Sequence, residues 1–168
     1  MLVPGDVIAT FSSRPMSTLS KSLKMVACPH CGSRVFISGE LAPLEQTTCV
    51  KCNGVIMMPM VLRQFELRSE IASGGMGTVY RAWDNTLGRE VAVKLMKQGL
   101  VNDEDAVNSF AAESRACAQL NHTNIIHVYT FDQEGGYRYL VMELADAGTL
   151  DSKIESHRRV SELEVLDI

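Results

Sequence analysis

Three glycines and a lysine carry the plainest chemistry in the chain. In Ile71-Ala-Ser-Gly-Gly-Met-Gly-Thr-Val-Tyr80, Gly74, Gly75 and Gly77 interrupt strand-forming sequence, and Val91-Ala-Val-Lys94 puts a lysine on an apolar strand downstream. Glycine removes the Cβ that keeps main chain away from a bulky anion, and it admits positive φ. A glycine turn between two strands, with a cation on a third, is a device for holding a nucleotide's phosphates.

A second constellation lies upstream. Cys28-Pro-His-Cys31 and Cys49-Val-Lys-Cys52 are separated by seventeen residues, within the spacing of a four-cysteine zinc site. Gly32 and Gly54 follow the pairs, where a tight turn lets main-chain N–H groups point at the sulfurs. Four thiolates saturate Zn2+ and leave no open position, so the metal would be structural and the unit a zinc ribbon. So small a unit buries little core, and metal binding of about 10–16 kcal/mol would supply most of its folding energy. The competing readings are a disulfide pair or a redox Cys-x-x-Cys; two matched pairs in a chain without an export signal favour zinc. His30 reads as a spectator inside the first knuckle, and Cys117 as a small buried residue on an apolar helix face.

The elements that would position the glycines decide which loop this is. A P-loop ends in Gly-Lys-Ser/Thr, and no glycine here precedes a lysine. A dinucleotide fingerprint needs a helix straight after the glycines. Instead Thr78-Val-Tyr-Arg-Ala-Trp83 follows, whose β-branched and aromatic residues favour a strand. The remaining pattern is strand–turn–strand with the lysine on the next strand. Strands are expected over Phe65–Ser73, Thr78–Asp84 and Arg89–Lys97, with a turn at Gly88. A helix capped by Asn102 or Asp103, acidic in its first turn, should run to about Leu120. Val107, Phe110, Ser114 and Cys117 or Ala118 would face the sheet. Further strands are expected at Ile126–Phe131 and Tyr137–Met142 around Gly135-Gly136. Val55–Val61 reads as a strand that ends the ribbon.

From about Phe65 onward the chain resembles the bacterial, eukaryotic-like (Hanks-type) serine/threonine protein kinases. The resemblance implies an α+β fold: a zinc ribbon, then a kinase N-lobe with a five-stranded antiparallel sheet and one helix, then the start of a helical C-lobe. It also implies ATP as cofactor, with Mg2+, and transfer of the γ-phosphate to a protein hydroxyl. Lys94 and Glu113 would be the catalytic ion pair, the carboxylate fixing the lysine's charge and rotamer. Ala72, Ser73, Gly74, Gly75, Met76 and Gly77 would form the lid over the phosphates. Val79 and Ala92 would cover the adenine, Met142 would take the gatekeeper position, and the main chain of Glu143 and Ala145 would bond the adenine edge. His122 would be structural, and Gly148-Thr-Leu150 would open a short helix towards Arg158.

Two departures from the family stand out. Ala72 replaces the first glycine of the loop, adding one methyl. More severely, the catalytic-loop aspartate and asparagine and the Asp-Phe-Gly aspartate, which orient the substrate hydroxyl and hold magnesium, are not among these residues. His157-Arg-Arg159 mimics the start of the catalytic loop but has Arg159 where the aspartate belongs, lies too near the hinge, and has Glu164 in the asparagine's place. Ser161 to Ile168 reads as the first turns of an interrupted helix. A chain of this extent is therefore expected to have no turnover alone.

Charge divides in the same way. Residues 1–62 carry five Lys/Arg against three Asp/Glu, and residues 63–168 carry eleven against seventeen. An acidic second part argues against nucleic acid as its ligand. Residues 1–24 are serine-rich and acid-poor, with no apolar core long enough for a signal peptide. They are expected to be a disordered leader, or to precede a true start at Met25. No stretch has the length of a membrane span, and a cytoplasmic location is expected. The expected organisation is a ribbon over 25–62, a lobe and hinge over 65–145, and the start of a C-lobe over 146–168. The alternative is a non-catalytic nucleotide-binding or protein-interaction module that docks through its ribbon. Self-association or a partner would then cover the apolar face where a C-lobe sits.

Overall fold

The computed structural model describes residues 22–157. The expectations for residues 1–21, for Arg158-Arg159 and for Ser161 to Ile168 lie outside the described residues.

Two short hairpins form the cysteine-rich unit. Strand β1 (Leu23–Ala27) pairs antiparallel with β2 (Arg34–Ser38), and β3 (Gln46–Thr48) with β4 (Val55–Met57). A cysteine knuckle joins the strands of each hairpin. Val26, Val35 and Ile37 alternate inward and meet Ile56, Met58, Cys28 and Cys49 in a small core. Strand β1 already begins at Leu23, two residues before the expected boundary.

The apolar run Val55–Val61 is two strands, not one. Met58 still exchanges main-chain bonds with Leu44 and Glu45, at 2.9 and 2.8 Å. Pro59 has no N–H to continue that ladder, and the chain re-pairs as β5 (Met60–Leu62) with β6 (Phe65–Ser73). The lobe's sheet therefore has six strands where five were expected. Its order is β5-β6-β7-β8-β10-β9, with β7 at Gly77–Asp84, β8 at Arg89–Met96, β9 at Val128–Glu134 and β10 at Tyr137–Met142. Strand β9 begins two residues later than expected because the Ile125 N–H closes a turn on the His122 carbonyl, at 3.1 Å.

Turn chemistry explains the hairpins. Gly135 and Gly136, at φ +56° and +81°, make the two-residue β9–β10 loop, a turn that demands positive φ at both positions. Between β7 and β8 the buried Asp84 carboxylate accepts the Thr86 and Leu87 N–H groups at 2.9 and 3.1 Å. At the β5–β6 turn Arg63 sits at φ 50°.

The sheet's period of two sorts its faces. Val91, Val93 and Leu95 of β8 point into the main core with Leu67, Tyr80, Ala82, Tyr139 and Val141; Met57, Met60 and Leu62 join them from upstream. Ala92, Lys94 and Met96 point the other way. Helix α1 (Glu104–Ala118) packs on that second face, where Phe110, 1% exposed, meets Met96 and Leu140. Asp103 is its cap, accepting the Ala106 N–H at 3.1 Å. The sheet curls until its two edges meet at one end. There Arg63 Nε lies 2.8 Å from Asp132 Oδ2 of β9, and its N–H bonds Glu134. A last helix, α2 (Leu150–His157), starts at Thr149, whose Oγ1 accepts the Ser152 N–H at 3.1 Å. Among the described residues no helix is long and apolar enough to cross a membrane.

Candidate functional site

Register alone brings most of the expected residues to one place. Lys94 of β8 is opposite Val79 of β7 and Leu140 of β10, and Ala92 is opposite Met142. All five belong to the face turned away from the main core. With α1 they border a cleft of about 450 Å³, which Val79, Lys94, Glu113 and Met142 line together. Ala92 is 4% exposed beside it.

Lys94 Nζ donates to Glu113 Oε1 at 2.7 Å and lies 5.6 Å from the centre of the Phe110 ring. The two side chains are 20% and 47% exposed, so the pair is open to water on the glutamate's side. Glu113 reaches the lysine because Phe110 and Ser114 hold α1 against the sheet; the Ser114 hydroxyl also donates back to the Phe110 carbonyl at 2.8 Å.

The glycine loop is tied at its stem. Ser73 Oγ and Thr78 Oγ1 are 3.0 Å apart, the Gly74 N–H reaches the Gly77 carbonyl at 2.9 Å, and the Lys97 N–H reaches the Met76 carbonyl at 3.1 Å. The glycines differ in purpose. A Cβ on Gly77 would stand 2.5 Å from the Leu95 carbonyl oxygen, whereas one on Gly75 would meet nothing within 4 Å. None of the three has positive φ, so close approach rather than a left-handed turn explains Gly77. Ala72 pairs with Val79 just after a break in the β6–β7 register between Glu70 and Ala72, so the loop's base follows a bulge at Ile71.

Past the cleft, the Glu143 N–H donates to the His127 carbonyl at 2.8 Å, and the Glu143 carboxylate accepts from the His127 N–H and meets its ring Nδ1. The His127 main-chain N–H, then its ring, hold the Glu143 carboxyl below the ordinary carboxylate range. The Glu143 N–H is therefore already engaged within the chain. Ala145 follows without a regular element.

Sequence reasoning missed part of the wall. Cys117 is half-buried and lines the cleft instead of the core, because Phe110 and Ser114 take the positions facing the sheet. Its place four residues after Glu113 was the available signal, since such residues share a helix face. Asn124, Ile125 and Ile126 also line it. Ile125 and Ile126 are exposed apolar side chains on this wall, and Tyr129 and Phe131 of β9 are also exposed.

The four cysteines form a second site. Their sulfurs all lie within 4.8 Å of one another, with Cys28–Cys52 at 3.7 Å and Cys31–Cys49 at 3.9 Å, and Cys28 and Cys49 are buried. Ser33, by side chain and N–H, draws the Cys31 thiol down to about 6. At Cys52 the Gly54 N–H pulls down, but desolvation and the neighbouring sulfurs win and push the thiol up to about 12. The set can hold a metal ion. The Gly54 N–H reaches the Cys52 sulfur as expected, but the positive φ of the two knuckles falls on different residue types. Gly32 takes φ +68°, and Asn53 takes the equivalent turn at φ 58°; Gly54 also makes room for His30, whose Cδ2 would stand 2.5 Å from its Cβ.

Comparison with known proteins agrees with this lobe. The model of the protein kinase domain matches residues 65–168, more than half of the chain. The serine/threonine-protein kinase PknA of Mycobacterium tuberculosis is 40% identical over 110 residues, which are 62% of this chain and 26% of that protein. The probable serine/threonine-protein kinase CA_C1728 of Clostridium acetobutylicum is 33% identical over 104 residues, 62% of this chain and 16% of that one. The solved apo form of PpkA-294 superposes with a TM-score of 0.55 at 25% identity, covering 65% of this chain and 46% of that one. The chain thus spans about a quarter or less of the length of these curated relatives. The chain belongs to the protein kinase family, among the bacterial serine/threonine kinases of Hanks type.

Proposed function

We propose that residues 65–145 are the ATP-holding lobe and hinge of a serine/threonine kinase that transfers the γ-phosphate to protein hydroxyls. The observation that carries this is Lys94 held at 2.7 Å by Glu113 on the wall of a cleft that Val79 and Met142 also line. Lys94 supplies the phosphates with a fixed positive charge, and Glu113 keeps it pointed there. The loop from Ala72 to Gly77 lies over the phosphates, with Gly77 letting its end lie close against the Leu95 carbonyl of β8. Val79 and Ala92 cover the adenine, Met142 limits the depth of the cleft, and the main chain of Glu143 and Ala145 bonds the adenine edge. Phosphoryl transfer depends on positioning and electrostatics, and Mg2+ would need ligands from motifs these 168 residues do not contain. A polypeptide of this extent therefore binds ATP without turning it over. Incubation with labelled ATP and a generic protein acceptor should give no transfer; transfer that vanishes in Lys94→Met would overturn the reading.

The four-cysteine unit is, in the same proposal, a structural zinc site. Sulfurs about 2.3 Å from zinc in a tetrahedron stand roughly 3.8 Å apart. The 3.7 and 3.9 Å separations support that geometry. Metal analysis of freshly purified, reduced protein that finds no zinc would refute it.

A further inference from the structure

We propose that the four-cysteine unit makes the kinase lobe metal-responsive: a zinc-class divalent ion held by Cys28, Cys31, Cys49 and Cys52 keeps β5 on the lobe's sheet, and loss of the ion loosens β6 and the glycine loop after it. The inference rests on the metal reading above and goes beyond it, because a structural ion need not influence a neighbouring lobe.

Strand β4 is shared between two cores. Ile56 and Met58 are buried in the cysteine-rich unit, while Met57 between them is buried in the lobe with Tyr139 and Val141. Neither unit can lose this strand alone. Strand β5 then follows at once, pairing Met60 with Leu67, Val61 with Glu66 and Leu62 with Phe65, and its Met60 and Leu62 are 8% and 2% exposed in the lobe's core. Its far end is fastened by Arg63 to Asp132 and Glu134 of β9. So β5 is gripped upstream by the cysteine-rich unit and downstream by the opposite edge of the sheet.

The unit also touches the glycine-loop end of β6. Gln46 Nε2 donates to Glu70 Oε2 at 3.2 Å, and a groove of about 410 Å³ runs between Gln46, Ile56, Ser69, Glu70 and Ile71, beside the stem residues Ala72 and Ser73. Strands β3 and β4 have three residues each, and two of the seven core residues of the unit are cysteines. A core of that size does not hold itself together, so the ion's binding energy is its folding energy. When the ion leaves, Ile56 and Met58 lose their partners and Met57 loses its anchorage. Strand β6 then becomes a free edge with unpaired N–H and C=O groups. The element that both the ion and the glycine loop bias is β5, paired or released, which is the physical content such coupling requires.

The lobe contains its own reporter. Trp83, the chain's single tryptophan, lies on β7 opposite Glu66, with the Arg68 guanidinium 5.1 Å from its ring centre. It therefore reads the β6–β7 pairing, with Glu66 and Arg68 carrying the contact to Met25, Val26 and Ala27 of the cysteine-rich unit. The test uses the whole chain, reduced: metal content, then thermal unfolding followed by Trp83 fluorescence as isolated, after chelation, and after zinc is added back. Amide exchange is measured alongside over residues 23–58 and 65–73. The expected result is bound zinc, one transition, a fall in its midpoint of at least about 4 °C on chelation, faster exchange in both segments, and recovery with zinc. Bound zinc whose removal speeds exchange in 23–58, but leaves the Trp83 midpoint and 65–73 unchanged, would overturn the coupling and leave the metal site standing. A chain that neither contains nor takes up zinc would overturn both.

Discussion

Replacing Lys94 by methionine separates what the Lys94–Glu113 pair does for the fold from what it does for a ligand. The lysine is 20% exposed and its partner 47% exposed. An ion pair so open to water contributes about 0–1 kcal/mol to stability. Methionine keeps the length of the aliphatic stem and its packing on Phe110, so the denaturant midpoint should move little. A nucleotide phosphate loses more: a hydrogen bond to a charged group is worth about 1.5–3 kcal/mol. At 1.4 kcal/mol per factor of ten, ATP affinity should fall about 10- to 100-fold. Glu113→Gln keeps a hydrogen-bonding oxygen but removes the charge that steers the lysine, so its loss should be smaller and in the same direction. The assay is calorimetric titration with ATP beside urea unfolding, on all three proteins. A stability loss above about 2 kcal/mol with unchanged affinity would refute the reasoning and make the pair part of the scaffold.

Three further outcomes are expected. Gly77→Ala should destabilise by about 1–3 kcal/mol, because its Cβ would be forced against the Leu95 carbonyl 2.5 Å away, whereas Gly75→Ala should leave the unfolding midpoint within about 0.5 kcal/mol of the parent; equal effects would contradict the close-approach account. Phe110→Ala removes a ring 1% exposed between Met96 and Leu140 and should cost about 3–5 kcal/mol in denaturant unfolding; a cost under about 1 kcal/mol would mean that α1 is not held by this contact. The folded pKa of Glu143 is depressed by His127, so its contribution is present above the ordinary value of 4.5 and is lost as pH falls through the folded value. Stability curves of the parent and Glu143→Gln should therefore differ at neutral pH and converge in acid, and a constant gap across that range would remove the carboxylate from the cause.

Much of this arrangement is legible in the residues, for particular reasons. Alternation in Val91-Ala-Val-Lys94 assigns Ala92 and Lys94 to one face without any structure, since the period of a strand is two. Asp103 and the acids after it mark the start of α1 through the chemistry of helix caps. The pairing of two Cys-x-x-Cys knuckles survives translation into space, with all four sulfurs within 4.8 Å. What escaped depends on partners remote in sequence. Pro59 marks a break, but nothing local says that Met60–Leu62 will re-pair with Phe65–Leu67 and add a sixth strand. Arg63 finds Asp132 and Glu134 only because the sheet curls. Cys117 reads as core until Phe110 and Ser114 are seen to occupy the inward positions. The second role of Gly54, leaving room for the His30 ring, has no signal in the local sequence.

The central claim, that this lobe holds ATP between its glycine loop and hinge, is tested most directly by backbone amide protection of the intact chain with and without saturating ATP. The predicted result is added protection confined to residues 73–78, 92–94 and 142–145, with Lys94→Met needing about 10- to 100-fold more nucleotide to reach the same protection. Protection that appears elsewhere, or none at a concentration that saturates a working kinase, would contradict it.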